Sequence, residues 1–521
     1  MKKTLLFCFL LLNLTLLIGQ NQRYLDQIYS EVKVDSNVVY GVNATILTVA
    51  DPRFKQAMPQ ALVMDIYSPV GDNLAARPLI LYYHTGNFLP YPQNGSVSGT
   101  RRDSTCVEIC TQLAKMGYVV ASVDYRLGWD PVNTSKDIRV YTLINAAYRG
   151  VQDGHTCIRF FKKDVTEFGN RFGVDTSRIT IWGQGTGGYV AANLGALDSY
   201  GKIPTASNGK FLINTPVGIL PMVIEAINGN LTGTTVGTVP PGFGALLGVP
   251  DGDTLCYPNH VGYQSGFQLG VNMGGAVGDS AWIDMGQPPV ISMHSTTDPF
   301  APYKEGLVLV PVTPPLEVVP VQGSYLIQYL NTAFGNNNVF TAQSKLFNDA
   351  YTLAANQLND GLDGLYPLVR ESPYDSSPWD YWDPATNINH ARGLQTNPDM
   401  SKAKALRFID TLINYVKPRA CLALGLNCDL SRYTGTTNLD PSAVGLNVVP
   451  NPAQDQIVVK TDAAFPIQSI TILDLNGRVY NTISRINSNS VTINRDELKS
   501  GIYFLKIHFN KGESFSKVVF K

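Results

Sequence analysis

The stretch "ITIWGQGTGGYVAANL", residues 179–194, sets an apolar strand-like run, a glycine-rich turn and a helix-forming run end to end. A strand that turns sharply into a helix holds one side chain out at the top of the turn. That is how a G-x-S-x-G elbow presents a serine hydroxyl to an acyl carbon. In this chain the five positions are Gly183, Gln184, Gly185, Thr186 and Gly187, so a glycine stands in the serine position. Acyl transfer by this route needs a nucleophilic oxygen, a histidine base within reach and a carboxylate to orient it. It also needs backbone N–H groups aimed at the developing oxyanion. Gly185 has no side chain to attack with. Thr186 carries a hydroxyl, but one step along a tight turn swings it away from the reacting centre. Ser280, in "GDSAW", has no neighbour that marks it as activated.

The elements around this turn alternate. Strand patterns occur at "ALVMDIYSP" (61–69), "RPLILYYHT" (77–85), "GYVVASVDYR" (117–126), "RITIWG" (178–183), "PPVISMHS" (288–295) and "GLYPLVR" (364–370). Helical patterns lie between them, at "TCVEICTQLAKMG" (105–117) and "AYRGVQDGHTCIRFFKKDV" (147–165), with a late helix from "DMSKAKALRFIDTLINYVK" that Pro418 is expected to end. Alternation of this kind predicts an α/β fold with a mostly parallel sheet covered by helices, over residues 21–428. Residues 201–287, rich in Gly, Pro, Thr and Asn, read as long loops or a cap over one end of the sheet. The chain has 521 residues, 44% hydrophobic and 16% charged, enough apolar material for a large core. Its formal net charge of −1, without a long basic block, argues against a nucleic-acid partner.

Four motifs in order resemble the carboxylesterase type of α/β-hydrolase. "LILYYHTGNF" resembles the strand and HGGG-like turn of an oxyanion hole, and "GYVVASVDYRLG" the next strand with its Tyr-Arg-Leu ending. "FGVDTSRITIWGQGTGG" resembles the elbow, and "PPVISMHSTTDPFAPY" the strand whose loop carries the acidic residue. The resemblance implies an oxyanion hole from the N–H groups of Gly86 and Thr186, although the HGGG run is His84-Thr85-Gly86-Asn87 here. It places the acid at Asp298, whose other reading is an Asx turn before Pro299. The histidine should follow "GLYPLVR", but the loop "ESPYDSSPWDYWD" has none. The nearest is His390, in "TNINHARG", which either swings back into the site or belongs to a surface loop. His84 reads as packing its turn, and His294 as a structural residue at the strand end. Trp379, Tyr381 and Trp382 line a pocket or are plain packing. No histidine or cysteine has metal-ligand spacing, and neither metal nor cofactor is expected.

Residues 1–20, "MKKTLLFCFLLLNLTLLIGQ", pair a short basic start with an apolar run too short for a good membrane span, and read as a secretory signal peptide. No later run is long enough to cross a bilayer. Six cysteines follow the signal. Cys421 and Cys428, flanking a short loop, are the expected disulfide. A polar linker (429–445) leads to short alternating strands at 446–521 that predict a small Ig-like sandwich. "VVPNPAQDQIVV", "ITILDLNGRVY", "LKSGIYFLKI" and "SKVVFK" resemble the Bacteroidetes type IX secretion C-terminal sorting domain, which implies the type IX machinery as partner and a secreted or cell-surface location. Three functions fit this sequence. One is a hydrolase-like protein without serine esterase activity, with a binding or surface role and a small-molecule or ester ligand. The second is an active carboxylic ester hydrolase with non-standard residues, and the third a structural, adhesin-like surface protein.

Overall fold

Runs of Val, Ile, Leu and Tyr, too long to stay wet and bounded by Gly and Pro, form the strands of a central sheet. The structure is a computed structural model that describes residues 22–521, apart from 216–217, 312–314, 371, 373, 435–438, 476–477, 496–497 and 510–511. The expected signal peptide lies outside the described residues. The chain divides into two compact units, the first ending at Leu430 and the second comprising Phe347–Asp349 and Ser431–Lys521.

In the first unit the strands are β1 (Val32–Thr45), β2 (Met58–Pro69), β3 (Arg77–Tyr83), β4 (Val119–Val123) and β5 (Val174–Gln184). They continue with β6 (Leu269–Met273), β7 (Val290–Ser295), an antiparallel pair β8 (Glu305–Val310) and β9 (Leu316–Gln322), and β10 (Leu365–Leu368). Eight of them make one sheet in the order β1-β2-β4-β3-β5-β6-β7-β10. The β1-β2 and β2-β4 pairs are antiparallel, and every pair from β4 to β10 is parallel. All five residues of β4 are buried, as a parallel strand covered on both faces requires.

The helices that position the site are α1 (Ser104–Lys115), α2 (Lys136–Glu167), α3 (Thr186–Ala196), α4 (Ser324–Ala333) and α5 (Lys402–Ala423). α2 starts eleven residues before the sequence pattern and packs on α3, its Gly150 and Gly154 leaving room for Val190 and Leu194 of that helix. A fully buried ion pair, Arg126 Nη2 to Asp153 Oδ1 at 2.8 Å, ties the end of β4 to α2.

Two expectations change. Residues 201–287 are not only loop and cap, because "LGVNM" forms β6, buried in mid-sheet between β5 and β7. Its five residues are too short to show a period. Pro418 does not end α5, which continues to Ala423. Tertiary bonds just beyond the proline hold that last turn: Arg419 pairs with buried Asp363 at 2.8 Å, and Cys421 is joined to Cys428. The disulfide is the expected one, and Cys106, Cys110, Cys157 and Cys256 are free and buried.

The second unit contains the seven expected short strands. Asn447–Val449, Gln456–Lys460 and Ser490–Asn494 form one antiparallel sheet; Ile467–Leu473, Val479–Ser488, Gly501–Phe509 and Gly512–Phe520 form the other. Ile457, Val459, Ile470, Leu505, Ile507 and Val518 fill its core. Val444, read as linker, is fully buried in that core, because its apolar side chain has sandwich surface to cover.

Candidate functional site

At the end of β5 the backbone turns through Gly185 with φ 52° and ψ −118°, in the left-handed region that few side-chain-bearing residues adopt. The flanking glycines are steric necessities. A Cβ on Gly183 would strike the Gly187 carbonyl, and a Cβ on Gly187 would strike the Tyr83 carbonyl. The elbow is thus built as the motif demands, closely packed against the end of β3, with no side chain at its apex. Gly185 N–H donates to the Met273 carbonyl at 2.8 Å, anchoring the turn to β6.

Thr186 is the first residue of α3, so its N–H has no acceptor within the helix. Its hydroxyl is engaged with Tyr125 Oη at 3.1 Å. Gly86, at φ 134°, lies so near Gly99 that a Cβ would come within 2.7 Å of the Gly99 Cα. The β3 turn is held from beneath by His84. That ring is buried, stacks on Tyr125 at 4.7 Å, donates from Nδ1 to the Thr85 carbonyl at 2.5 Å and lies 3.4 Å from Asp124 through Nε2. Burial disfavours the His84 cation, but the Asp124 carboxylate outweighs it and the pKa is raised. His84 therefore packs the turn, as its position in the sequence suggested.

A cavity of about 740 Å³ opens over the elbow. Thr85, Gly185, Thr186, Asp298 and Trp382 all line it, so four of these sequence-selected neighbourhoods do converge. Its apolar lining comes from α2, α3, the β8-β9 pair and residues 201–287, with Tyr148, Val190, Phe211, Trp282 and Val319 among the lining residues. Of the aromatic cluster, Trp382 faces the cavity and Trp379 is buried.

Asp298 is an Asx-turn residue at the cavity wall. It lines the cavity, and its Oδ1 accepts from the N–H groups of Phe300 (2.8 Å) and Ala301 (3.1 Å) as an Asx-turn residue does. His294 is buried behind it, with Nε2 at 3.1 Å from the Ala301 carbonyl and 3.5 Å from Asp298 Oδ2, and Nδ1 at 2.9 Å from Ser324 Oγ. His390 begins a short helical turn, Nδ1 accepting from Trp382 Nε1 at 3.1 Å; the cavity wall takes Arg392 and Gly393 from the same turn. His155 is buried in α2, where burial, with Arg159 adding, pushes its pKa down to about 3. His260 bonds the Tyr40 carbonyl, and His508 belongs to the second unit. All six histidines of the chain are thus placed, and none is a cavity-lining residue. Ser280 N–H donates to Gln322 Oε1, while its neighbours Gly278 and Trp282 reach the cavity.

Three lining groups were missed. Asp380 accepts from Thr105 Oγ1 (2.9 Å) and from Gln184 Nε2 (3.1 Å), which joins it to the residue before Gly185. Its carboxyl is pushed up to about 7, chiefly by burial, with the charge of Asp103 adding and the bonds from Thr105 and Gln184 opposing. The Tyr189 hydroxyl is buried without a hydrogen-bond partner among the described residues. Thr85 faces Gly185 directly. Only Thr85 had a sequence signal, as a residue that stands where the HGGG run has a glycine.

Among the described residues no group of three or more His, Cys, Asp or Glu is placed to hold a metal, and no helix is long and apolar enough to cross a membrane.

Residues 64–215 match the BD-FAE family model, a family of α/β-hydrolase esterases. Residues 447–521 match the secretion system C-terminal sorting domain. No curated protein sequence matches the chain. Similar solved structures include a truncated carbohydrate esterase from gut microbiota, 14% identical over 53% of this chain and 81% of that one, with a TM-score of 0.28. A thermophilic esterase of the planctomycete Thermogutta terrifontis, in its native form, is 17% identical over 72% and 92%, at 0.29. Brefeldin A esterase, a bacterial homologue of human hormone sensitive lipase, is 17% identical over 33% and 36%, at 0.20. The strand order of the central sheet and the family match carry the α/β-hydrolase fold.

Proposed function

For a chain that joins an esterase-type α/β-hydrolase domain of the BD-FAE family to a type IX secretion sorting domain, we propose a secreted or surface-held binding protein that lacks ordinary serine esterase activity. The sorting domain marks the chain for type IX export, to the cell surface or beyond it. Residues 1–20 act as the export signal, 21–428 as the exported binding domain, 429–445 as the link and 446–521 as the sorting tail.

One observation carries this reading. The elbow backbone is intact, yet Gly185 offers no oxygen, and none of the six histidines is among the residues that line the cavity. Attack by a hydroxyl needs a base beside it, and loss of a nucleophile typically costs several powers of ten in rate. A binding role is supported by the free helix-start N–H of Thr186, the turn at Gly86, the Asp298 loop and a large apolar cavity. These support retention of an apolar ligand with a polar end.

The test is direct. Purified mature protein is expected to hydrolyse short acyl esters no faster than buffer and to resist a serine-directed phosphonate. Gly185→Ser alone is expected to restore little, for want of a base and because a Cβ at residue 185 meets Thr85 Oγ1. Stoichiometric phosphonylation of the unmutated protein at a single residue overturns the reading and names the nucleophile. A gain of orders of magnitude in Gly185→Ser that His390→Ala abolishes overturns the view that the base is lost.

A further inference from the structure

The position emptied at the elbow is filled from the facing turn. A Cβ built on Gly185 would collide with Thr85 Oγ1 and come within 2.9 Å of the Thr85 Cβ. The Thr85 hydroxyl therefore stands in the volume that a side chain at residue 185 needs. The two departures from the esterase pattern, glycine for serine at the elbow and threonine for glycine in the HGGG-like turn, are sterically linked.

Thr85 is also held firmly. Its carbonyl accepts from His84 Nδ1 at 2.5 Å, and His84 is in turn fixed by Asp124 and by stacking on Tyr125. The residue is half-buried and lines the cavity beside Gly185 and Thr186. One helical turn along α3 from the elbow, Tyr189 lines the same cavity, its hydroxyl buried in the wall without a hydrogen-bond partner among the described residues. The half-buried Thr85 hydroxyl at the cavity wall is a donor that a ligand oxygen can meet. The cavity lining sets one guanidinium, Arg392, against the carboxyl of Asp298, while Asp380 holds its proton to about 7, so no excess positive charge awaits an anionic oxygen and a neutral one is favoured.

Resting on the binding role above, we propose that Thr85 replaces the lost nucleophile as the ligand-facing hydroxyl. It donates a hydrogen bond to the oxygen of a neutral carbonyl compound, an ester or ketone, whose hydrocarbon part occupies the apolar cavity. The group recognises the carbonyl and does not attack it.

The experiment compares 2-undecanone with undecane, which has the chain and no oxygen, by titrating the fluorescence of the cavity tryptophans Trp282 and Trp382. In the full-length mature protein, Thr85→Val keeps the side-chain shape and removes the hydroxyl. It is expected to weaken 2-undecanone about 3- to 10-fold, the range of one net hydrogen bond, and to leave undecane unchanged. Thr85→Ser is expected to retain ketone binding. Equal losses for both ligands, no loss for the ketone, no ketone binding by the parent, or tighter binding of decanoate than of the ketone each overturn the proposal. Phosphonylation of Thr85 also overturns it. These results are distinct from ester turnover, so the binding role and the part played by Thr85 can fail separately.

Discussion

At the scale of single residues, the cavity is shaped by what is missing at Gly185 and by what has moved in from Thr85 and Asp380. Asp380 makes a pH prediction. In the unfolded chain a carboxyl loses its proton near pH 4, whereas in the fold Asp380 holds it to about 7. Between those values the folded state binds more protons than the unfolded one, so this group costs stability as pH rises from 4 to 7; above 7 the loss is complete. Asp380→Asn keeps an oxygen for Thr105 and does not titrate. Its melting temperature relative to the parent is expected to rise by about 3–5 °C between pH 4 and pH 7. A difference that stays constant across that range means that Asp380 ionises like an exposed carboxylate.

Among elements, the parts that carry the elbow were plain in the sequence because their patterns are long: β3, β4, β5 and the middle of α2 all lie where apolar periodicity put them. β6 was not legible, since five buried residues in a Gly-rich region have no period, and the β8-β9 pair that lines the cavity was not seen either. The end of α5 shows local and tertiary signals in conflict. Pro418 reads as a stop, but the Arg419–Asp363 pair and the Cys421–Cys428 bridge hold the turn beyond it. Replacing both bridge cysteines with serine is expected to lower the stability of the first unit by about 2–3 kcal/mol in urea unfolding, as for a short closed loop. Non-reducing peptide mapping is expected to find this one bridge, with Cys106, Cys110, Cys157 and Cys256 as thiols. A second bridge, or free thiols at 421 and 428, contradicts the pairing.

For the whole molecule, the division of labour runs along the chain: an esterase-type unit, then a sorting sandwich with its own core. A truncation that removes residues 446–521 is expected to leave the protein in the periplasm of a host with the type IX system, while the full chain reaches the surface or the medium. Equal appearance of both outside the cell removes the sorting role of the tail.

The amino-acid sequence by itself determined the alternation of elements, the vacancy at residue 185, the bridge at 421 and 428 and the seven strands of the tail. Each is a local fact, carried by periodicity, by one residue in a tight motif or by spacing along the chain. Only the tertiary structure decided what stands over that vacancy. Thr85 and Gly185 are a hundred residues apart in the chain and meet because β3 and β5 are neighbours in the sheet. Asp380 joins them through Gln184, and His390 is taken up by Trp382, because long loops are directed by the surfaces they land on and not by their own sequence pattern.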